Sequence, residues 1–160
     1  MKICILYHSE TGNTRRFAHH IASAFDATLV EVCDTASYFQ LTRFLVRCKM
    51  ARSEEETTIM PASTDVSEYD LVVFGSPVWA FKPTPAIHTA ISGLKGCMGK
   101  PAVAFFTHGG RPGQTGETFK KWIEGRGMVL VAVSGIHQND IENEKKKEEL
   151  ISLVRASIQV

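Results

Sequence analysis

The sequence predicts an α/β protein in which a five-stranded parallel sheet is covered by helices on both faces. Five short apolar runs alternate with five longer segments whose apolar residues recur at helical spacing. Continuous apolar runs such as residues 71–74 are typical of strands that are buried on both faces. Three chemically unusual loops follow the first, third and fourth runs. Because the carboxyl ends of parallel strands share one edge of the sheet, these loops predict a ligand site at that edge.

The predicted elements follow one another along the whole chain. Strands are predicted at residues 3–7, 28–32, 71–74, 101–107 and 128–133. The helices are predicted from their apolar faces, which are Phe17, Ala18, Ile21, Ala22 and Phe25 in the first, Leu41, Phe44, Leu45 and Cys48 in the second, Ile87, Ala90, Ile91 and Leu94 in the third, Phe119, Trp122 and Ile123 in the fourth, and Leu150, Val154 and Ile158 in the fifth. The polar segment 57–68 is predicted to be the longest loop.

Composition places the chain among ordinary globular proteins. It has 160 residues, of which 44% are apolar and 22% are charged, so we expect a single domain that spans residues 1–160. The formal net charge is only +1. A global charge this small gives no reason to expect nucleic acid or an anionic membrane as a partner.

Three observations bear on where the protein works. Met1 and Lys2 directly precede the first predicted strand, which leaves no room for a signal peptide. No apolar run is long enough to span a bilayer. The four cysteines, at positions 4, 33, 48 and 97, lack the spacing of metal ligands or of a redox pair. We therefore expect a cytoplasmic protein with buried free thiols and no metal site.

The second predicted helix is strongly basic on the side opposite its apolar face. The positive residues are Arg43, Arg47, Lys49 and Arg52, and Glu54, Glu55 and Glu56 follow them. Such a pattern is typical of a solvated helix face, which is the favoured interpretation. The alternative is a docking patch for an acidic partner.

The first loop is the most informative stretch of the sequence. It joins the first strand to the first helix and consists of Ser9, Glu10, Thr11, Gly12, Asn13 and Thr14. A helix N-terminus presents free N–H groups and the positive end of the helix dipole. With three hydroxyls and one amide added, the loop predicts a cup for a phosphate-sized anion. An ordinary helix cap by Asn13 or Thr11 is the alternative, although a cap needs only one such residue.

The composition of this loop favours holding a phosphate over cleaving one. It lacks the spaced glycines and the terminal Lys-Ser/Thr of a nucleoside triphosphate loop. It contains only one of the three glycines of a dinucleotide fingerprint. The spacing from Ser9 to Arg15 is faintly like that of phosphatases with a loop cysteine, but the loop has no cysteine and no obvious base stands beside Ser9. No residue is assigned a catalytic role.

The other two loops add an aromatic residue and a pair of glycines. The third predicted strand ends in Gly75-Ser76-Pro77-Val78-Trp79, and the fourth ends in Thr107-His108-Gly109-Gly110. Trp79 offers a flat apolar surface for stacking, and Phe81 is the alternative. The two glycines permit close approach of the backbone to a ligand, although a tight turn explains them equally well. His108 is equally compatible with a ligand contact and with a surface position. Together the loops suggest a phosphorylated, planar ligand.

The chain resembles the flavodoxin family in three motifs that occur in the same order over essentially its whole length. These motifs are Ser9-x-Thr11-Gly12-Asn13-Thr14, Gly75-Ser76-Pro77-x-Trp79 and Thr107-His108-Gly109-Gly110. The resemblance implies a three-layer flavodoxin-like sandwich with strand order 2-1-3-4-5 and a non-covalently bound FMN. No clear insertion splits the fifth strand, so the chain resembles the short-chain members.

By this resemblance, the first loop takes the FMN phosphate and the other two loops flank the isoalloxazine ring. The implied FMN-binding residues are Ser9, Glu10, Thr11, Gly12, Asn13 and Thr14, then Ser76, Pro77, Val78, Trp79, Ala80 and Phe81, and finally Thr107, His108, Gly109, Gly110 and Gly113. The third loop lacks the second aromatic residue that is common in flavodoxins. One face of the ring is therefore expected to be open to a nicotinamide or a quinone. Lys82, His108 and Arg111 are expected to make the site relatively positive.

Three functions follow from these expectations. The favoured one is an FMN-dependent electron carrier between redox partner proteins. The alternative is an FMN-dependent NAD(P)H or quinone oxidoreductase that uses the open face of the ring. The third is a non-redox binding module on the same fold, which needs no flavin.

Overall fold

The computed structural model describes residues 1–37 and 42–158, and strands and helices alternate along them. The strands are β1 (Ile3–Tyr7), β2 (Thr28–Glu31), β3 (Cys33–Asp34), β4 (Ile59–Met60), β5 (Leu71–Trp79), β6 (Lys82–Pro83), β7 (Pro101–His108) and β8 (Val129–His137). The helices are α1 (Asn13–Phe25), α2 (Arg43–Arg52), α3 (Pro85–Ser92), α4 (Thr115–Gly125) and α5 (Glu144–Ser157). A short 3-10 turn at Gln138–Asp140 precedes α5.

Five strands form a parallel sheet in the order β2-β1-β5-β7-β8. Numbered among themselves along the chain, these strands have the order 2-1-3-4-5, so the predicted topology is confirmed. Tyr7 at the end of β1 pairs with Gly75 on β5, and Pro77 on β5 pairs with Thr107 on β7. This register brings the carboxyl ends of β1, β5 and β7 together, and the three loops that follow these strands are neighbours.

Helices cover both faces of the sheet, and each face has its own apolar core. Successive residues of a strand point to opposite faces, so β5 serves both cores. One core packs α3 and α4 on the sheet through Val72, Phe74, Ile87, Ile91, Phe119, Trp122 and Ile123. The other packs α1 and α5 through Ile5, Val73, Phe105, Phe17, Ala18, Ile21, Leu150 and Val154. The predicted apolar faces of these four helices are confirmed, with Phe25 and Ile158 only partly buried.

The predicted apolar face of the second helix is wrong. Phe44 is 73% exposed and Leu45 is 68% exposed, and Ala51 is the buried residue of α2. Cys48 is only partly buried, and Leu41 lies outside the described residues. The side of α2 that faces the sheet is therefore not the side that the spacing of its apolar residues predicts.

Arg47 explains this orientation of α2. Its side chain, predicted to be solvated, is only 11% exposed because the guanidinium lies against Glu10, Asp34 and the ring of Trp79. Opposite charges within about 4 Å compensate for the burial of a guanidinium. The remaining positive residues of the helix, Arg43, Lys49 and Arg52, are exposed as expected.

Short strands appear where none were predicted. β4 lies inside the predicted loop 57–68 and pairs antiparallel with β3. β6 pairs antiparallel with the end of β5. β8 continues to His137, past the predicted end at residue 133, and its register with β7 shifts between Leu130 and Ala132. The additional pairings order the chain around the sheet edge at which the three loops meet.

The cysteines only partly follow expectation. All four are free; Cys4 and Cys97 are buried, but Cys33 is exposed and Cys48 is half-buried. Burial raises the pKa of Cys4 to about 12, which makes that thiol unreactive. Within the described ranges, each helix is too short or too polar to cross a bilayer.

Candidate functional site

The first loop forms the N-terminus of α1. Gly12 precedes the helix with a φ of 94°, a conformation that glycine adopts readily, and a Cβ there would meet no atom within 4 Å. The Oγ of Ser9 accepts hydrogen bonds from the backbone N–H groups of Gly12 and Arg15, both at 3.2 Å. Ser9 therefore holds the turn, and the alternative of a cap made by Asn13 or Thr11 is not found.

The first turn of α1 leaves donors open at the sheet edge. None of the described residues accepts a hydrogen bond from the backbone N–H of Asn13 or Thr14. The helix dipole adds a partial positive charge at the same place. The side chain of Thr14 behaves differently, because it is 1% exposed and its Oγ1 lies 2.9 Å from Oγ1 of Thr107. This buried hydrogen bond joins the first loop to the end of β7.

The second loop is a hairpin turn with a strained backbone. Trp79 pairs with Lys82, so Ala80 and Phe81 form a two-residue turn between β5 and β6. Both turn residues have positive φ, 45° and 70°. This conformation costs of the order of 1–3 kcal/mol in a residue other than glycine, and it persists only where the surroundings impose it.

The third loop holds this turn in place. Gly113 lies so close to Phe81 that a Cβ on the glycine would be 2.3 Å from the Cβ of Phe81. The backbone N–H of Gln114 donates to the carbonyl of Phe81 at 3.0 Å. His108 closes the loop on itself, with its Nδ1 2.6 Å from the carbonyl oxygen of Gly110. The second and third loops therefore form one packed unit.

Three other predicted site residues hold the loops through packing or hydrogen bonds. Ser76 is fully buried, and its Oγ accepts a hydrogen bond from the backbone N–H of Thr84 at 3.0 Å. Val78 is partly buried and packs against the core between α3, α4 and the sheet. A Cβ at Gly109 would be 2.7 Å from Oε1 of Gln138, so this glycine is closely packed. These contacts fix the shape of the sheet edge.

A cavity of about 310 Å³ lies between the first loop, the second loop and α2. Its surface is mostly apolar, and its size is near the lower end for small-molecule sites. Its described lining residues are Glu10, Thr11, Arg43, Phe44, Arg47, Pro77 and Trp79. Four of the predicted site residues therefore line one cavity, namely Glu10, Thr11, Pro77 and Trp79. None of the described lining residues belongs to the third loop.

Sequence reasoning missed α2 as a wall of this cavity. Arg47 places its Cζ 5.5 Å from the centroid of the Trp79 ring and donates from Nη1 to Oε1 of Glu10 at 3.0 Å. Arg43 and Phe44 complete the wall. A signal was present in the sequence: Phe44 stands next to Arg43 and three residues before Arg47, and residues three apart share one side of a helix. A face that mixes a phenyl ring with arginines does not fit a protein core.

Beneath the cavity, His8 supports Trp79. It is 4% exposed and packs edge-on against the indole, with ring centroids 5.6 Å apart and an interplanar angle of 89°. Its Nδ1 lies 2.9 Å from the carbonyl oxygen of Val32 and donates to it. Burial lowers the pKa of His8, so the ring is neutral at pH 7. His8 therefore positions Trp79 without adding charge.

The expected positive contribution of Lys82 is compensated by Glu54. The Nζ of Lys82 donates to Oε1 of Glu54 at 2.7 Å, while Lys121 and Trp122 donate to Oε2 at 2.6 and 3.1 Å. The hydrogen bonds from Lys121 and Lys82 lower the pKa of Glu54 to about 2. Glu54 is thus ionised at neutral pH, and its negative charge offsets the positive charge of Lys82. Of the two arginines that line the cavity, Arg43 is more exposed than Arg47.

The residues at this edge fit FMN. Open N–H groups at the start of α1, beside the hydroxyl of Thr11, are suitable donors for a phosphate dianion. The apolar wall formed by Pro77 and Trp79 suits a flat aromatic ring. Donors and apolar wall lie next to each other because Thr11 belongs to both the loop and the cavity.

Comparison with known proteins agrees with this fit. Residues 1–136 match the family described as NADPH-dependent FMN reductase. The chain is similar to a flavoprotein from Lactobacillus acidophilus solved in complex with FMN, with 25% identity and a TM-score of 0.69 over 90% of this chain and 97% of that one. No curated protein matches the sequence.

Two further solved structures support the fold. One is a protein from Bacteroides uniformis assigned as a flavoprotein, with 22% identity and a TM-score of 0.72 over 91% of this chain and 97% of that one. The other is the two-electron reduced flavodoxin of Megasphaera elsdenii, with 16% identity and a TM-score of 0.63 over 99% of each chain. The flavodoxin-like fold and the FMN cofactor expected from the sequence are confirmed, and the match from β1 into β8 shows that the chain belongs to the NADPH-dependent FMN reductase family.

Proposed function

We propose that this protein is an FMN-dependent oxidoreductase that takes electrons from NAD(P)H in the cytoplasm. The observation that carries the proposal is the cavity beside the N-terminus of α1, whose walls combine the indole of Trp79 with the guanidinium groups of Arg43 and Arg47. The family match supports NADPH as the electron donor. A quinone or another small oxidant is the proposed acceptor.

In this proposal, the first loop holds the phosphate of FMN. The backbone N–H groups of Asn13 and Thr14 and the hydroxyl of Thr11 donate to it, while Ser9 and Gly12 keep the turn open. Glu10 binds Arg47 and so closes the cavity beside the phosphate.

The other two loops take the ring. Pro77 and Trp79 contact it, and Ser76, Val78, Ala80 and Phe81 maintain the hairpin that presents them. The third loop, with Thr107, His108, Gly109, Gly110 and Gly113, borders the ring from the far side. When bound, FMN supplies the electron-transfer chemistry, and the protein contributes binding, orientation and charge.

Arg43 is the proposed contact for the dinucleotide. Its side chain is 54% exposed at the cavity wall and lies 3.8 Å from Oε1 of Glu10. A planar guanidinium recognises phosphate oxygens in two-point contacts. The sequence from Thr107 to Gly116 contains no aromatic residue, which leaves space for a nicotinamide ring.

An electron carrier between redox proteins is the second candidate. The observation that favours it is Phe81, which stands 58% exposed at the tip of the hairpin beside the cavity. An exposed aromatic residue at a redox site suits contact with another protein. In this case NAD(P)H reduces the flavin only through a partner enzyme.

An anaerobic titration of the FMN-loaded protein separates the two candidates. We expect NADPH alone to bleach the flavin absorbance within seconds. Arg43→Gln should raise the NADPH concentration needed for half-maximal rate by about tenfold, because the loss of one hydrogen bond to a charged group weakens binding by about that factor. Lys145→Gln, which changes an exposed lysine of α5, is the matched control. A flavin that remains oxidised with both NADPH and NADH, yet is reduced on addition of a flavodoxin reductase, would establish the carrier instead.

A further inference from the structure

We propose that the exposed side chains of α2 form a docking surface for an acidic redox protein, which exchanges electrons with the site beside it. This inference rests on the proposed redox function of that site. The surface, called here the α2 patch, consists of Arg43, Phe44, Leu45, Val46, Lys49 and Arg52.

The apolar residues of the α2 patch indicate a contact surface. Phe44, Leu45 and Val46 are 73%, 68% and 38% exposed on the first turn of α2, and Leu45 lies on the same side of the helix as Lys49 and Arg52. An isolated helix of 10 residues is marginal in water and is normally stabilised by burying an apolar face. Several large apolar side chains exposed together on one helical turn are typical of a surface that binds another molecule.

The charges of the α2 patch indicate what binds there. Arg43, Lys49 and Arg52 are exposed, and α2 contains no acidic residue. The first carboxylate after the helix, Glu54, is already bonded to Lys82 and Lys121. A basic surface with an apolar centre is complementary to an acidic surface on a partner.

The same charges argue against a second copy of this chain as the occupant. A symmetric dimer built on one patch brings the same surface of the two copies into contact. Arginine and lysine side chains would then face arginine and lysine side chains. An acidic partner avoids this repulsion.

An anionic membrane is the other occupant that a basic apolar helix suggests. A protein is favoured because of where the α2 patch lies. Arg43 and Phe44 belong both to the α2 patch and to the cavity wall, so a protein docked there lies next to the redox site.

The α2 patch consists of six residues, far fewer than the roughly 20–30 on each side of a standard interface, and this predicts a transient complex. Electron-transfer complexes are typically small, with less than about 1,200 Å² buried in total. In such encounters complementary charge mainly raises the association rate, by a factor of about 10 to 10³ at low ionic strength. Added salt reduces this increase.

The test uses the FMN-loaded protein and a reduced acidic plant-type [2Fe–2S] ferredoxin, mixed anaerobically in a stopped-flow instrument. Each ferredoxin cluster loses one electron, and two such transfers with protons from solvent reduce one bound FMN. We expect the wild-type rate to fall as salt is added. Lys49→Glu/Arg52→Glu should lower the low-salt rate about tenfold, and Lys49→Gln/Arg52→Gln should have an intermediate effect. Neither residue lines the cavity, so direct reduction by NADPH should change less than twofold.

A matched variant on the opposite face of the sheet provides the control. Lys145→Glu/Arg155→Glu makes the same change of charge on α5 and should alter the ferredoxin rate less than twofold. The inference would be overturned if the wild-type ferredoxin rate were negligible or insensitive to salt, or if the α2 and α5 variants had equal effects on it. It would also be overturned if an α2 variant kept the wild-type ferredoxin rate but lost binding to phosphatidylserine vesicles, because the patch would then be a membrane-binding surface. Failure of NADPH to reduce the flavin would instead contradict the proposed function, because the ferredoxin assay does not depend on it.

Discussion

α1 and α2 border the same cavity edge, but different forces hold the two helices in place. α1 buries Thr14, Phe17, Ala18, Ile21 and Ala22 against the sheet. α2 buries Ala51 and otherwise depends on polar contacts, with Arg47 bonded to Glu10 and with Glu54, just past the helix, bonded to Lys82 and Lys121. The part of the site that is proposed to hold the phosphate is therefore fixed by the core, whereas the wall beside the proposed ring position is fixed by charge.

The largest expected contrast between the two helices is in their phenylalanines. Phe17→Ala removes a side chain that is 1% exposed and should lower the free energy of unfolding by about 3–5 kcal/mol. Phe44→Ala changes a side chain that is 73% exposed and should alter it by less than about 0.5 kcal/mol. Urea unfolding of both variants measures the difference. Equal losses would show that Phe44 is covered in solution.

Arg47 is expected to be the most important single contact of α2. Arg47→Met removes the guanidinium that lies 3.6 Å from the carboxylate of Asp34, whose side chain is 2% exposed. Because Asp34 also accepts hydrogen bonds from Ala36 and Thr57, we expect a loss of about 2 kcal/mol, less than for a fully stranded charge. The double variant Arg47→Met/Asp34→Asn should recover part of the loss. No recovery would mean that the contact with Trp79 dominates.

Glu54 should make the C-terminal end of α2 sensitive to acid. Its pKa is lowered from 4.5 to about 2, so the stabilisation by its carboxylate is complete above about pH 4.5 and declines as the pH falls toward 2. We expect about 1 kcal/mol, because water screens the exposed Lys121. The measurement is the free energy of unfolding at pH 7 and pH 3, in which the wild type should lose more than Glu54→Gln. Identical losses in the two proteins would contradict this role.

The parts of the fold that depend on local patterns were predictable. The parallel strands, the first loop and four of the five helix faces follow from apolar runs, loop composition and helical spacing, whereas the strand order follows from the resemblance to flavodoxins. The placement of α2 was not predictable in this way, because Phe44, Leu45 and Cys48 have the spacing of a buried face. Its orientation depends on where Glu10 and Asp34 lie in space, which is a long-range property.

The same distinction applies within the site. A helix N-terminus with open donors directly after β1 follows from the sequence, but the hydrogen bonds that Ser9 accepts from the turn were not predicted, since Asn13 or Thr11 was the expected cap. The positive φ of Ala80 and Phe81 was not predictable, since neither residue type favours it, and it becomes understandable only through the contact with Gly113.

The most direct test of the account is the affinity of the apoprotein for FMN and for riboflavin, measured by calorimetry under identical conditions. Riboflavin shares the ring but lacks the phosphate that the N-terminus of α1 is proposed to bind. We expect riboflavin to bind at least tenfold more weakly, a difference of about 1.4 kcal/mol or more. Equal affinities for the two ligands would contradict the assignment of the Ser9–Thr14 loop as the phosphate site.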